Sequence, residues 1–259
     1  MPRFAANLTW LFTEHPLADR VRAAGRAGFD AVEVLFPYGQ DLDALRQALD
    51  DTGLHMALIN TPAPDWETGG RGCGAVPGRE EEFRDGFSAA LRTARRLGAG
   101  RIHVMSGRTD HPAWKATLID NLRWAALEAA DLHLTIEPLN ARDMPGYALQ
   151  TFSDALTVLE AVGAPNLGLQ FDTYHAQHMG GDVAKAWAQV AGAVTHVQVA
   201  GFPDRAEPVS ELFDHAAFFR RLDRDGYAGF VGAEYRPAGR TEEGLGWLAS
   251  ARSQTGDDT

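Results

Sequence analysis

Eight short apolar runs recur along the chain, each followed by a longer amphipathic stretch, and this alternation leaves few folds open. The runs at 3–7, 31–35, 54–60, 101–105, 132–137, 167–172, 194–199 and 229–234 read as strands. Helices are expected near 17–28, 41–52, 79–98, 111–131, 152–163, 182–192, 214–225 and 241–251. End signals accompany several of them. Gly28 and Gly53 follow periodic segments as C-cap candidates, and Ser153 or Asp154 can cap the helix carrying Leu156 and Leu159. Glu80, Glu81 and Glu82 place acidic charge in a first turn, where the helix dipole favours it. A strand–helix unit of about 32 residues, repeated eight times, predicts α/β architecture as a single (β/α)8 TIM barrel. The rival is a doubly wound open sheet, but no Gly-x-Gly-x-x-Gly follows the first strand and no Walker-type loop occurs. No Pro/Gly/Ser-rich linker halves the chain, and the Pro/Gly-rich stretch 61–78 reads as a long loop after the third strand. One barrel domain over 1–251 and a short tail over 252–259 are expected.

Composition narrows the partners. With 35 acidic against 24 basic side chains, the net charge of -11 disfavours nucleic-acid phosphates and anionic lipid. Cys73 is the only cysteine, so no internal disulfide can form. The start carries no charged leader with an apolar run, and no run approaches the roughly 18–20 residues that span a bilayer. The expectation is a soluble, cytoplasmic protein with no nucleic-acid or membrane partner; a homo-oligomer is left open.

Strand alternation concentrates the chemistry at one end. In the fifth strand His133, Thr135 and Glu137 share a face; in the sixth Gly168, Gln170 and Asp172; in the seventh His196 and Gln198; in the eighth Gly232 and Glu234. The apolar residues between them should face the helices. This phase puts Glu137, Asp172, Gln198 and Glu234 at the last inward position of four adjacent strands, the face where barrel enzymes keep their active sites. Three carboxylates in a partly dry pocket repel one another and resist ionisation. A divalent cation resolves that conflict, and three carboxylates with one amide oxygen suit Mg2+ or Mn2+ better than Zn2+. Taken singly, an acidic residue at a strand end is more often a helix cap or a solvated loop residue; three carboxylates and an amide at equivalent strand ends point to the site.

At these strand ends the chain resembles the hydroxypyruvate isomerase family, within the wider sugar isomerase/epimerase and apurinic endonuclease barrel group. The matching stretches are Phe4-Ala-Ala-Asn-Leu, Gly28-Phe-Asp-Ala-Val-Glu with Phe36-Pro-Tyr, Pro77-Gly-Arg-Glu-Glu-Glu-Phe-Arg, Ile136-Glu-Pro-Leu-Asn, Gln170-Phe-Asp-Thr-Tyr-His, His196-Val-Gln-Val-Ala, Arg205-Ala-Glu-Pro and Gly232-Ala-Glu-Tyr. The resemblance implies an isomerase interconverting hydroxypyruvate and 2-hydroxy-3-oxopropanoate (tartronate semialdehyde), a small hydroxy-oxo acid. It implies Glu137, Asp172, Gln198 and Glu234 as metal ligands, Glu137 and Glu234 as the proton-transfer pair, and His175 and Arg205 as substrate contacts. Where the family commonly continues Glu-Pro-Gly-x-Gly-Glu, this chain has Glu207-Pro-Val-Ser-Glu, so the loop beside Arg205 differs.

His175 reads either as a donor to a substrate oxygen or as a backbone-satisfied core histidine. Arg205 reads either as a fork for a substrate carboxylate or as a loop arginine paired with Glu207. His196, one inward layer below Gln198, reads as a packed barrel histidine. The loop 61–78, with Trp66 and Arg71, reads as a lid or as a static wall, and Trp10, Phe36 and Trp66 as apolar walls or core. The same site also suits a 2-oxo-tetronate or a ketose undergoing 3-epimerisation. A non-catalytic sensor is a further class, and a zinc nuclease is disfavoured because the fourth strand ends His103-Val-Met-Ser-Gly, with no histidine beyond it.

Overall fold

The computed structural model describes residues 2–63 and 66–253. Eight parallel strands close into a barrel in strict chain order: β1 (Arg3–Asn7), β2 (Ala31–Glu33), β3 (His55–Asn60), β4 (Arg101–His103), β5 (His133–Ile136), β6 (Leu167–Asp172), β7 (Val194–Val199) and β8 (Phe230–Ala233), with β8 pairing back onto β1. Around them run α1 (Leu17–Arg26), α2 (Leu42–Thr52), α3 (Glu80–Leu97), α4 (Trp114–Glu128), α5 (Phe152–Val162), α6 (Thr173–Gly180), α7 (Val183–Val190), α8 (His215–Arg224) and α9 (Gly246–Ser253). The single (β/α)8 TIM barrel expected from the alternation is therefore the fold, and the open sheet is excluded by closure.

Local chemistry sets the element ends. Asp41 caps α2 by accepting from the N–H groups of Asp43 and Ala44, and Gly53 ends it in the left-handed region at φ 70°, which an L side chain adopts only with strain. The cap of α5 is Thr151, one turn before the expected Ser153 or Asp154. Thr151 Oγ1 accepts from the Asp154 N–H at 3.1 Å while its hydroxyl donates to the Asp154 carboxylate at 2.8 Å, so Asp154 serves as the returning partner of a reciprocal cap. Likewise Ala27, not Gly28, caps α1; Gly28 follows it at φ 87°.

Several elements differ from the sequence reading. Strands β2 and β4 are three residues long, shorter than expected. The eight-residue α6 was not expected: it starts within β6's own exit, with Asp172 as cap, and is too short to show a helical stripe. The segment near 241–251 divides into a 3-10 turn, Thr241–Gly244, and α9. Helix α9 runs on to Ser253, so Arg252 and Ser253 are helical; residues 254–259 lie outside the described residues.

Two compartments are filled differently. Between barrel and helices lies the large apolar core, including an aromatic chain in which Phe171 meets Trp187 and Phe218, and Phe4 meets Phe219 and Trp247. Ala5, Ala31 and Ala57, with Phe230, form a separate cluster, and alternation puts Asn7 and Glu33 on the same faces as Ala5 and Ala31. Small residues low in the barrel thus leave the upper layers to buried polar groups. Among the described residues no helix is long and apolar enough to cross a membrane.

Candidate active site

Strand exits place the site. Asp172 ends β6, while Glu137 and Glu234 each lie one residue beyond β5 and β8. Register pairs Asp172 with Gln198, and Gln198 with Gly232, two residues before Glu234. A register irregularity between Leu169 and Gln170 on β6 re-aims the strand just below Asp172. Glu137, Asp172, Gln198 and Glu234 are all buried.

Beneath the mouth a continuous hydrogen-bond network fixes them. Gln170 Nε2 donates to Glu137 Oε2 and to Gln198 Oε1, both at 2.8 Å. Gln198 Nε2 donates onward to Glu33 Oε2 at 2.9 Å, and Asn7 Nδ2 donates to the same oxygen at 3.0 Å. His196 Nε2 pairs with Glu33 Oε1 at 2.5 Å, so His196 is a packed barrel histidine, fully buried one layer below Gln198. Gly232 belongs to this network by its lack of a side chain, since a Cβ there would fall 2.1 Å from Glu33 Oε1.

Above, the charges meet. Ligand atoms of Glu137, Asp172 and His175 lie within 4.8 Å of one another. Glu234 stands outside that cluster and is joined to it by Arg205, whose Nη2 donates to Asp172 Oδ2 at 3.1 Å and to Glu234 Oε1 at 2.9 Å. Arg205 itself has left-handed backbone, φ 55°, and its guanidinium lies over the Tyr174 ring at 4.9 Å. Glu207 does not pair with it: Glu207 Oε1 accepts from the Ala238 N–H at 3.0 Å. Asn140 donates to His175 Nδ1 from its backbone N–H at 3.0 Å, with its side-chain nitrogen 2.8 Å away. Tyr174 Oη donates to Asp143 Oδ2 at 2.7 Å, tying the loop after β5 to α6.

Burial governs the protonation states. It pushes Glu137 well above the usual carboxyl range, with Asp172 and Glu234 adding repulsion and Arg205 opposing. Glu234 is pushed up to about 7 by burial, against the pull of Arg205. Asp172 is raised by burial too, restrained by Arg205 and by the Tyr174 N–H that it caps. For Arg205, burial disfavours the cation, but Glu234, Asp172 and Glu137 together outweigh that and hold it charged. His175 is held neutral by burial and by the neighbouring Arg205.

The buried Glu137, Asp172 and His175 group is of a kind that can hold a metal ion. Glu137 Oε1 is buried without a hydrogen-bond partner, and Gln198 Oε1 keeps acceptor capacity beyond its bond from Gln170.

Four further residues that shape the site received no role from sequence: Glu33, Gln170, Asn140 and Tyr174; Trp10, expected as an apolar wall or core, presents its indole N–H to Glu234 and favours the ionised form. Glu33 and Asn7 end β2 and β1, so the strand-end rule applied to the first half of the chain would have found Glu33. Asn140 and Tyr174 lie in a loop and a short helix, where no periodicity marks them. The 61–78 loop is braced, with Phe36 and Trp66 rings 5.2 Å apart, the Arg71 guanidinium 3.9 Å above Trp66, and Gly72 bridged to Ser106. Its residues 64–65 lie outside the described residues.

A family profile described as Xylose isomerase-like TIM barrel matches residues 21–251. A 2-oxo-tetronate isomerase of Cupriavidus necator is 45% identical over 254 residues, spanning 96% of this chain and 98% of that protein. The hydroxypyruvate isomerase of Escherichia coli is 42% identical over 256 residues, spanning 96% and 98%. Among solved structures, one described as an AP endonuclease, family 2, from Brucella melitensis superposes with a TM-score of 0.93 at 43% identity, covering 96% of this chain and 99% of that one.

Proposed function

The chain belongs to the xylose isomerase-like TIM-barrel family and is an isomerase, and we propose that it interconverts hydroxypyruvate and 2-hydroxy-3-oxopropanoate through an enediolate. The observation that carries this reading is the pair of buried glutamates at the barrel mouth, Glu137 beside Asp172 and Glu234 joined to Asp172 through Arg205. A four-carbon 2-oxo-tetronate is the competing substrate, favoured by the name of the Cupriavidus relative.

Glu137, Asp172, Gln198 and Glu234 would hold a Mg2+ or Mn2+ ion, a Lewis acid that stabilises negative charge on the substrate oxygens. The remaining work falls to the chain. One of Glu137 and Glu234 removes a proton from the hydroxyl-bearing carbon, the other supplies a proton to the neighbouring carbon, and the hydroxyl proton passes to the former carbonyl oxygen. His175 donates a hydrogen bond to a substrate oxygen as charge gathers there. The Arg205 fork, already clasped by two carboxylates, orients the substrate carboxylate. Gln170 and Glu33 keep Glu137 and Gln198 aimed at the mouth. The described site holds carboxylates, an amide and one nearby histidine, which supports proton transfer over the nuclease chemistry that the Brucella name suggests.

The deciding experiment incubates the protein with hydroxypyruvate in deuterated buffer, with and without Mg2+ or Mn2+, and follows products by proton NMR. Metal-dependent tartronate semialdehyde carrying solvent deuterium at carbon is the expected result. Exchange only with a 2-oxo-tetronate would keep the mechanism and change the substrate; silence with all hydroxy-oxo acids and ketoses would overturn the reading.

A further inference from the structure

Buried histidines near a carboxylate cluster invite assignment as cation ligands, and by distance alone His175 qualifies, grouped with Glu137 and Asp172. Its hydrogen bonds say otherwise. The Asn140 backbone N–H lies 3.0 Å from His175 Nδ1, and a backbone N–H can only donate, so Nδ1 must present its lone pair. In a neutral imidazole the proton then resides on Nε2, the nitrogen 3.8 Å from Asp172 Oδ2. A protonated Nε2 has no lone pair for a cation. It is a donor fixed towards the site.

We propose that Asn140 is a positioning residue that locks His175 as its Nε2–H tautomer, barring it from the cation and reserving it as a hydrogen-bond donor to the reacting substrate. The lock is built locally. Asn140 Oδ1 accepts from the Asp143 N–H at 2.9 Å, closing a turn that aims the Asn140 backbone N–H at the ring. Asn140 Nδ2 lies 2.8 Å from the same Nδ1 and 3.3 Å from Asp143 Oδ2, a second donor on the nitrogen that must stay bare. Asp143 in turn receives the Tyr174 hydroxyl at 2.7 Å, and Tyr174 precedes His175 on α6. The loop after β5 and the helix after β6 are thereby joined at two points, Asn140 to His175 and Asp143 to Tyr174. A donor held this way costs no reorientation when charge develops on a substrate oxygen.

The role of the donor rests on the isomerase reading, but the tautomer does not, and the test separates them. Histidine labelled with 15N is incorporated into the full chain, and long-range 15N–1H spectra are recorded with and without saturating Mg2+, with His175→Gln supplying the assignment. The expected signature is a bare Nδ1 and a protonated Nε2, unchanged by Mg2+. A protonated Nδ1, or an Nε2 that loses its proton when Mg2+ binds, overturns the proposal whatever the substrate proves to be. Asn140→Asp removes the side-chain donor but keeps the backbone N–H on Nδ1, so the Nε2–H signature is expected to persist; a proton moved to Nδ1 would show that the backbone bond does not fix the tautomer and would overturn the lock. Asn140→Ala should lower kcat about tenfold with KM nearly unchanged, since the donor acts on charge that forms only in the transition state. A rise in KM alone would mean that Asn140 merely shapes the pocket. Should these variants fail to fold, the spectrum of the unmodified chain still decides.

Discussion

Replacing Gly232 by alanine adds one methyl group in the place where the barrel has least room for it. The new Cβ would stand 2.1 Å from Glu33 Oε1 and 2.7 Å from its Cδ and Oε2. Glu33 cannot step aside, because Asn7, Gln198 and His196 hold its two oxygens at 3.0, 2.9 and 2.5 Å. Overpacking of a tight core costs about 1–3 kcal/mol, and a broken hydrogen bond to a buried charge roughly 1.5–3 kcal/mol. The expected loss is therefore about 2.5–6 kcal/mol, a large part of an ordinary domain's stability. Since Glu33 orients Gln198, affinity for Mn2+ should also fall at least about tenfold. Urea unfolding gives the first quantity and calorimetric Mn2+ titration the second. Gly192→Ala, where a Cβ meets nothing within 4 Å, is the control and should stay within about 0.5 kcal/mol. Adding Glu33→Ala removes the obstacle, so the double variant should lose less than the sum of the two single losses. A Gly232→Ala chain within about 1 kcal/mol of the original, or strict additivity with Glu33→Ala, would refute the reasoning.

Glu137→Gln keeps shape and removes the exchangeable proton, so turnover should fall about 10²–10⁴-fold in the NMR assay; unchanged turnover would sink the proton-transfer assignment. In metal-free protein, Glu234 is raised from 4.5 to about 7, so folding takes up a proton that the unfolded chain releases above 4.5. That contribution is complete below 4.5 and is lost as pH rises to about 7, by about 3 kcal/mol. His103 and His215, lowered to about 3 and about 4 mainly by burial, act in the opposite sense, so the quantity to follow is the difference between the chain and Glu234→Gln. A difference flat from pH 4.5 to 7.5 would contradict the buried carboxyl. Saturation with Mn2+ at a hundred times its Kd should raise unfolding free energy by about 2.7 kcal/mol, and Asp172→Asn should abolish most of that gain. No gain with Mg2+ or Mn2+ would dismiss the ligand set.

Much of this architecture is local information. The order of eight strands and eight intervening amphipathic stretches is written in hydrophobic periodicity, because a parallel strand must be buried and its crossover helix must hide one face. Eight such units, averaging about 32 residues, match the size of a closed barrel. Strand phase is local as well: a period of two residues decides that Glu137, Asp172, Gln198 and Glu234 share the inward side, and the barrel carries them to one rim. Packing decided what no period encodes. That Glu33 would reach across from β2 to hold Gln198 and His196, and thereby demand glycine at 232, depends on which strands oppose one another across the closed barrel. That Arg205 would lie between Asp172 and Glu234 depends on the course of a loop, and the lock of Asn140 on His175 depends on a loop and a short helix meeting. Periodicity reports the environment of a segment, inside or outside. Pairing between segments is a property of the third dimension, where residues 165 positions apart, as Gln198 and Glu33 are, come within hydrogen-bond reach.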